Sequence, residues 1–195
     1  MAPGATVSGR IRIIQDIFYS KQAGYLAILL LCVMGIYFFG LRGMRFFLVP
    51  SASMQPTLLR ADQIVTLREP RYGRGDIVVF VDYDGAYSVK RIAGIGGDSI
   101  KVGGGALFIN GEYASEPYIQ SPMDYIIRPP VLVPEGRVFL LGDNRNDSDD
   151  SHIDGRTYPV SDIIGKVRFI YYPYRRFGAV RSHPLRTVPI GLDSR

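Results

Sequence analysis

Cysteine is almost missing from this chain of 195 residues; the single one, Cys32, stands inside an apolar run. One thiol forms no intrachain disulfide, so the count says nothing of the redox compartment. Without cysteine clusters the common structural zinc sites are excluded as well. Histidine is scarce, at two residues, His152 and His183. One stands among hydrophilic loop residues and the other near the C-terminus, so a histidine-based triad is poorly supported. If a serine is the nucleophile, its base is better sought in a lysine. There are no internal repeats, and no long amphipathic helical pattern follows residue 45. An excess of positive over negative charge is also missing from most of the chain. The formal net charge is +5, but residues 175–195 carry Arg175, Arg176, Arg181, Arg186 and Arg195 against Asp193 alone, which leaves the rest near neutral. A nucleic-acid binder would carry its basic residues on the folded part, so no nucleic-acid partner is expected. A basic end suits solvation or anionic lipid headgroups.

What the chain does have is one long apolar run. The residues from Ala23 to Leu41 carry no charge. As a helix they reach about 28 Å, close to the hydrocarbon thickness of a bilayer. A buried core helix would show a polar stripe, and this run has none. Tyr25 and Tyr37 suit the two interfaces. A cleavable signal peptide needs a shorter apolar region and a small-residue cleavage site, whereas here Arg42-Gly-Met-Arg45 follows as a stop-transfer flank. Arg10, Arg12 and Lys21 precede the span and Arg42 and Arg45 follow it, so charge alone does not fix the orientation.

The pattern divides the chain into a polar N-terminal segment (1–22), a transmembrane helix (23–41), a mainly β domain (42–174) and a flexible basic tail (175–195). Short runs rich in Val, Ile, Phe and Tyr predict strands at 64–67, 77–81, 87–92, 107–110, 138–141 and 167–172, each bounded by Gly, Pro or Asp. Asn110-Gly111 between two such runs is a hairpin signal, because both turn positions favour positive φ.

Three stretches carry chemistry. The first, Val49-Pro-Ser-Ala-Ser-Met-Gln-Pro-Thr-Leu58, holds two serines between prolines close behind the span; alone it reads equally well as a turn. The second is Ser88-Val-Lys-Arg-Ile-Ala-Gly-Ile-Gly-Gly-Asp98. Strand alternation puts Ser88, Lys90 and Ile92 on one face and Val89 and Arg91 on the other. One of the two adjacent cations is then open to desolvation, against the plainer reading of two exposed charges. Its glycines do not make a dinucleotide loop, since Ser99 stands at the third glycine position and no βαβ pattern surrounds it. The third, Gly142-Asp-Asn-Arg-Asn-Asp-Ser-Asp-Asp-Ser-His152, is not a calcium loop: with Asp143 as first ligand, Arg145 falls on the third ligand position and Ser148 where glycine is required. No metal and no cofactor are expected.

Together, in this order behind an apolar span, PSASMQPTL, VKRIAGIGGD and GDNRNDSDDS resemble bacterial type I signal peptidases, or leader peptidases, over residues 46–174 with gaps. The resemblance implies a signal-peptidase-like β domain of antiparallel sheets behind one N-terminal transmembrane helix. It implies a single-pass protein of the bacterial cytoplasmic (inner) membrane with the catalytic domain extracytoplasmic. Its reaction would be removal of N-terminal signal peptides from exported preproteins after small residues (Ala-x-Ala), with those peptides and the lipid bilayer as partners. By position, Ser53 matches the nucleophile and Lys90 its general base. Ser51, with the Ser53 amide, matches the oxyanion hole, and Ser148 the hydroxyl that orients the lysine. Asp143, Arg145 and Asp150 match the structural support. Phe47, Leu48, Val49 and Pro50, with Ser88 and Val89, match the segments that bind substrate. Asn146 and His152 depart from the family's usual Asp and Arg, which bears on salt bridges in the supporting loop. The alternative is a specialised relative with one dedicated substrate, such as a pilin or conjugation protein.

The chemistry makes a physical demand. A free lysine, with a pKa of about 10.4, is charged at neutral pH. Lowering that value by about 2–3 units costs roughly 3–4 kcal/mol of ammonium stabilisation, which an apolar pocket without a carboxylate partner imposes. The substrate would bind as an added strand, with shallow pockets selecting small side chains.

Overall fold

A computed structural model describes residues 6–41 and 43–188, in two units that divide at Arg42. Arg42 of the stop-transfer flank, with Asp193 and Arg195 of the tail, lies outside the described residues.

The first unit is helix α1 (Thr6–Gly35), continued by a π-helical turn, Ile36–Leu41. Helical backbone therefore starts well inside the segment expected as a polar lead. Within it, Lys21–Gly40 has a mean hydropathy of 2.1 and is long and apolar enough to cross a membrane. Its apolar side chains point outward on every side, as a helix in lipid requires.

The second unit is built of antiparallel strands. In the first sheet these are β1 (Arg45–Leu48), β2 (Gln63–Leu67), β3 (Ile77–Val81) and β4 (Tyr87–Ile95). The second sheet opens with β5 (Ser99–Gly103), β6 (Ala106–Ile109), β7 (Glu112–Ser115) and β8 (Ile127–Leu132). Then come β9 (Arg137–Leu141), β10 (Tyr158–Pro159), β11 (Ile163–Tyr172), β12 (Gly178–Ala179) and β13 (Arg186–Val188). The first sheet has the order β1-β2-β11-β3-β4-β9-β10, with β12 on β11; the second runs β13-β7-β6-β5-β8. The β6–β7 hairpin turns at Asn110 and Gly111, with φ of 56° and 85°. Both positions need the left-handed region, which these two residue types tolerate.

The core forms on both faces of the first sheet. On one side Val49, Met54 and Leu58 pack on Ile64, Ile77, Val79 and Val89. On the other, Val78, Phe80, Ile92 and Leu140 pack with Tyr158. Ala93, Phe139 and Leu141 join the second sheet through Ile100, Val102, Leu107 and Ile109. A fully buried side chain of this size contributes about 1.5–3 kcal/mol.

The C-terminal stretch departs from the expected flexible tail. Phe169 and Ile170 of β11 pair with Ala179 and Gly178, and Arg186–Val188 adds a strand to β7. Between them Leu185 is buried in the core of the second sheet. Its arginines mask a chain held by alternate contacts rather than by an apolar run.

Candidate active site

Ser53 sits in a tight loop whose neck is closed by two backbone bonds, Val49 N–H to Asp62 O and Ala61 N–H to Val49 O, both 2.9 Å. Inside it, Gln55 N–H donates to Ala52 O (3.0 Å) and Leu58 N–H to Met54 O (2.9 Å). Met54 and Leu58 are buried anchors, so the residue before Met54 has a defined place. Ser53 itself is 8% exposed. Its Oγ lies 3.1 Å from Ser51 Oγ.

Lys90 lies on β4 and is 6% exposed. Strand β4 pairs with β3 throughout 87–91, but with β9 only from Arg91 onward. Residues 87–90 therefore have no strand on their second side among the described residues. The last registered pair is Arg91 with Leu141, so one step further Lys90 stands beside Gly142, and side chains at facing positions leave the same face. A Cβ added to Gly142 would lie 2.2 Å from Ser148 Oγ and 2.5 Å from Ser53 O. The Ser53 loop and Ser148 thus fill the space that glycine leaves open on the face to which Lys90 belongs. Lys90 makes no ion pair or hydrogen bond among the described residues. Burial pushes its amine below the ordinary 10.5; the fields of Asp150, Asp149, Asp82 and Asp147 oppose this and are outweighed. The Ser148 hydroxyl is buried and in no hydrogen bond of ordinary geometry, yet stands close enough to Asp150 to help hold that carboxyl down.

The loop after β9 is held by buried charge. Asp150 accepts from Gly142 N–H (2.8 Å), His152 N–H (3.1 Å) and the His152 ring through Nδ1 (2.7 Å). Burial alone would raise its pKa; the hydrogen bonds, led by the His152 ring, bring it below the usual 3.8. His152 also stacks on Tyr125 with centroids 4.1 Å apart. Asn146, the other departure, bonds the Pro122 carbonyl and the Asp124 N–H, tying this loop to 122–124. Arg145 donates to Gly142 O (2.9 Å) and through both Nη atoms to Glu116, at 2.9 and 2.6 Å. Asp143 receives two bonds from Arg91, from Nε (2.7 Å) and Nη2 (2.6 Å), and one from Thr57 Oγ1. Asn144 N–H donates to Ser53 O at 3.0 Å, and its side chain to Ala52 O at 3.3 Å. One loop thereby braces the Ser53 loop from behind.

Phe47 and Leu48 lie on β1, an edge strand, and the Phe47 ring meets that of Tyr87 on β4 at 5.3 Å. The sheet therefore curls until its edge faces the unpaired end of β4. Val49 and Val89 put their side chains into the core, leaving backbone rather than side chain to a ligand, while Pro50 is exposed. Ser88 Oγ donates to Asp82 at 3.3 Å.

The structure adds residues that sequence reasoning did not assign: Arg91, Thr57, Asn144, Glu116 and Tyr118. Arg91 is fully buried, so both cations of the Lys-Arg pair are desolvated, not one. Its guanidinium lies 3.9 Å from the Tyr118 ring centroid. The available signal was Val89 before and Ile92-Ala93 after Lys90-Arg91, which suits a strand covered on two faces.

The chain joins an apolar N-terminal helix to an antiparallel β unit, and the family it matches makes it a serine endopeptidase. The family model described as "Signal peptidase, peptidase S26" matches residues 21–172, and the chain belongs to that family. It is 36% identical over 156 residues to "Probable signal peptidase I-1" of Synechocystis sp., covering 72% of this chain and 79% of the relative. It is 37% identical over 151 residues to "Signal peptidase I" of Leptolyngbya laminosa, covering 70% and 72%. A third relative is "Probable thylakoidal processing peptidase 2, chloroplastic" of Arabidopsis thaliana, 36% identical over 148 residues, which cover 69% of this chain and 40% of that one.

Proposed function

We propose that this peptidase removes N-terminal signal peptides from exported preproteins with a Ser53–Lys90 dyad. The neutral Lys90 amine takes the proton of Ser53 as its Oγ attacks the scissile carbonyl, and returns it to the leaving amine. Ser51 Oγ and the Ser53 N–H stabilise the oxyanion; loss of one such donor costs about 2.7–4 kcal/mol. Ser148 orients the amine without adding charge. Asp143, Arg145 and Asp150 hold the loop that carries it. The substrate adds as a strand between Phe47–Pro50 and Ser88–Val89, where shallow pockets select Ala-x-Ala. The helix anchors the enzyme once in a bacterial inner membrane, with the β domain extracytoplasmic and Phe46–Leu48 near the lipid.

The observation that carries this reading is the buried Lys90, unpaired among the described residues, on the face occupied by Ser53 O and Ser148 Oγ. Cleavage of a purified precursor in detergent tests it. Ser53→Ala and Lys90→Ala lose turnover with unchanged circular dichroism. Lys90→Arg fails as well, because a guanidinium stays protonated. Full turnover by any of the three refutes the dyad. Cleavage of several unrelated precursors separates a general peptidase from one with a dedicated substrate.

A further inference from the structure

The C-terminal stretch after β12 runs from one sheet to the other and in doing so crosses the back of the site. Its backbone rests on Gly75, where an added Cβ would meet His183 O at 1.9 Å and Pro184 Cα at 3.0 Å. The carbonyl of that same Gly75 accepts from Arg91 Nη1 at 2.8 Å. The His183 ring lies 5.8 Å from the Tyr118 ring, tilted by 32°. Tyr118 in turn covers the Arg91 guanidinium. Leu185 is buried in the same cluster as Tyr118. From Arg91 the path continues through Asp143, whose neighbour Asn144 holds Ser53 O, and through Thr57, which belongs to the Ser53 loop. Just ahead of the crossing segment, Arg176 donates to Thr57 O at 2.9 Å. Among the described residues the C-terminal stretch thus reaches the Ser53 loop by two routes, with no hydrogen bond to Ser51, Ser53, Lys90 or Ser148.

We propose that residues 180–188 are a strap that positions the Ser53 loop, with His183 and Leu185 as positioning residues acting through Tyr118, Gly75 and Arg91. The strap clamps Arg91 from above, and Arg91 fixes the separation between the Ser53 loop and the loop after β9. The inference rests on Ser53 being the nucleophile.

The test uses the full chain in detergent, with kcat and KM separated and amide exchange followed at Asn144. In His183→Ala and Leu185→Ala, kcat falls about tenfold, a fraction of the hundredfold loss that a 1 Å misplacement can cause. KM stays within about twofold, since the substrate edges on β1 and β4 are untouched, and the Asn144 amide exchanges faster. Ser115 and Arg186 face each other across β7 and β13. A disulfide between Ser115→Cys and Arg186→Cys in a Cys32→Ser background therefore restores kcat to Leu185→Ala. Unchanged kcat and exchange in both variants, with Ser53→Ala inactive, overturn the strap and leave the dyad standing. Activity lost only in proportion to the unfolded fraction overturns it too. An active Ser53→Ala overturns both readings.

Discussion

Replacing Gly142 by alanine probes the site with one carbon. The backbone there is outside the left-handed region, so the effect is steric alone. The new Cβ would stand 2.2 Å from Ser148 Oγ and 2.5 Å from Ser53 O, where carbon and oxygen ordinarily keep about 3.3–3.6 Å apart. Each oxygen must retreat by roughly 1 Å. Neither is the free end of a long side chain: one is a backbone carbonyl bonded to Asn144 N–H, the other a buried serine hydroxyl. The Ser53 loop therefore moves as a body. Overpacking of this kind costs about 1–3 kcal/mol of stability. A domain of this size loses roughly 2–4 °C of Tm for each kcal/mol. A displacement of about 1 Å at the reacting group costs on the order of a hundredfold in rate, or about 2.7 kcal/mol of barrier. Precursor cleavage well below Tm should show the hundredfold loss in kcat in an enzyme that is still folded. Gly73→Ala is the control, because nothing lies within 4 Å of its added Cβ; it should match wild type. A Gly142→Ala enzyme with kcat within threefold of wild type would refute the placement of Ser53 and Ser148 against that glycine.

Two further outcomes follow from the buried cations. The folded-state pKa of Lys90 lies below 10.5, so between those two values the unfolded chain binds a proton that the folded one does not, and stability rises with pH across that window. The rise should be absent in Lys90→Met, which should melt above wild type at neutral pH; equal Tm values across the pH range would count against a desolvated amine. Arg91→Ala leaves the Asp143 carboxylate buried and uncompensated, at a cost of about 3–5 kcal/mol. Tm should fall by roughly 6–20 °C, and Arg91→Met with Asp143→Leu should recover most of it; a drop of less than about 3 °C in the single variant refutes the pair's role.

Much of the fold was legible where local sequence decides local structure. The apolar span, the Asn110-Gly111 turn and the Val/Ile-rich strands β2, β3, β4, β9 and β11 all carry their own signals. What escaped was pairing between distant segments. Strand β8 contains Pro129 and Pro130, which a central strand would not accept; it lies at a sheet edge, where missing donors matter less. Strand β13 is short and begins with an arginine, and only the register with β7 makes it a strand. Within the site, motif positions named Ser53, Lys90 and the loop residues, whereas Glu116 and Tyr118 belong to no motif. Their place under Arg145 and Arg91 depends on how the second sheet packs against the first.

Arg91 shows most directly why position alone does not give a role. It and Lys90 are neighbours on one strand, both buried, and both begin as cations. Arginine does not shed its proton in a protein, so burying it requires counter-charge, which Asp143 supplies, with the face of the Tyr118 ring beside it. Lysine has a second way out: lacking a partner, it can give up the proton and lie buried as a neutral amine. The two side chains are exposed to the same desolvation and answer it differently. The structural one keeps its charge and ties two loops together, and burial holds the one beside it below its ordinary pKa, as the base of the proposed dyad must be. Exchanging them would satisfy neither site, since arginine at 90 would stay protonated, and lysine at 91 would carry its donors on one nitrogen where Asp143 and the Gly75 carbonyl are now met by three.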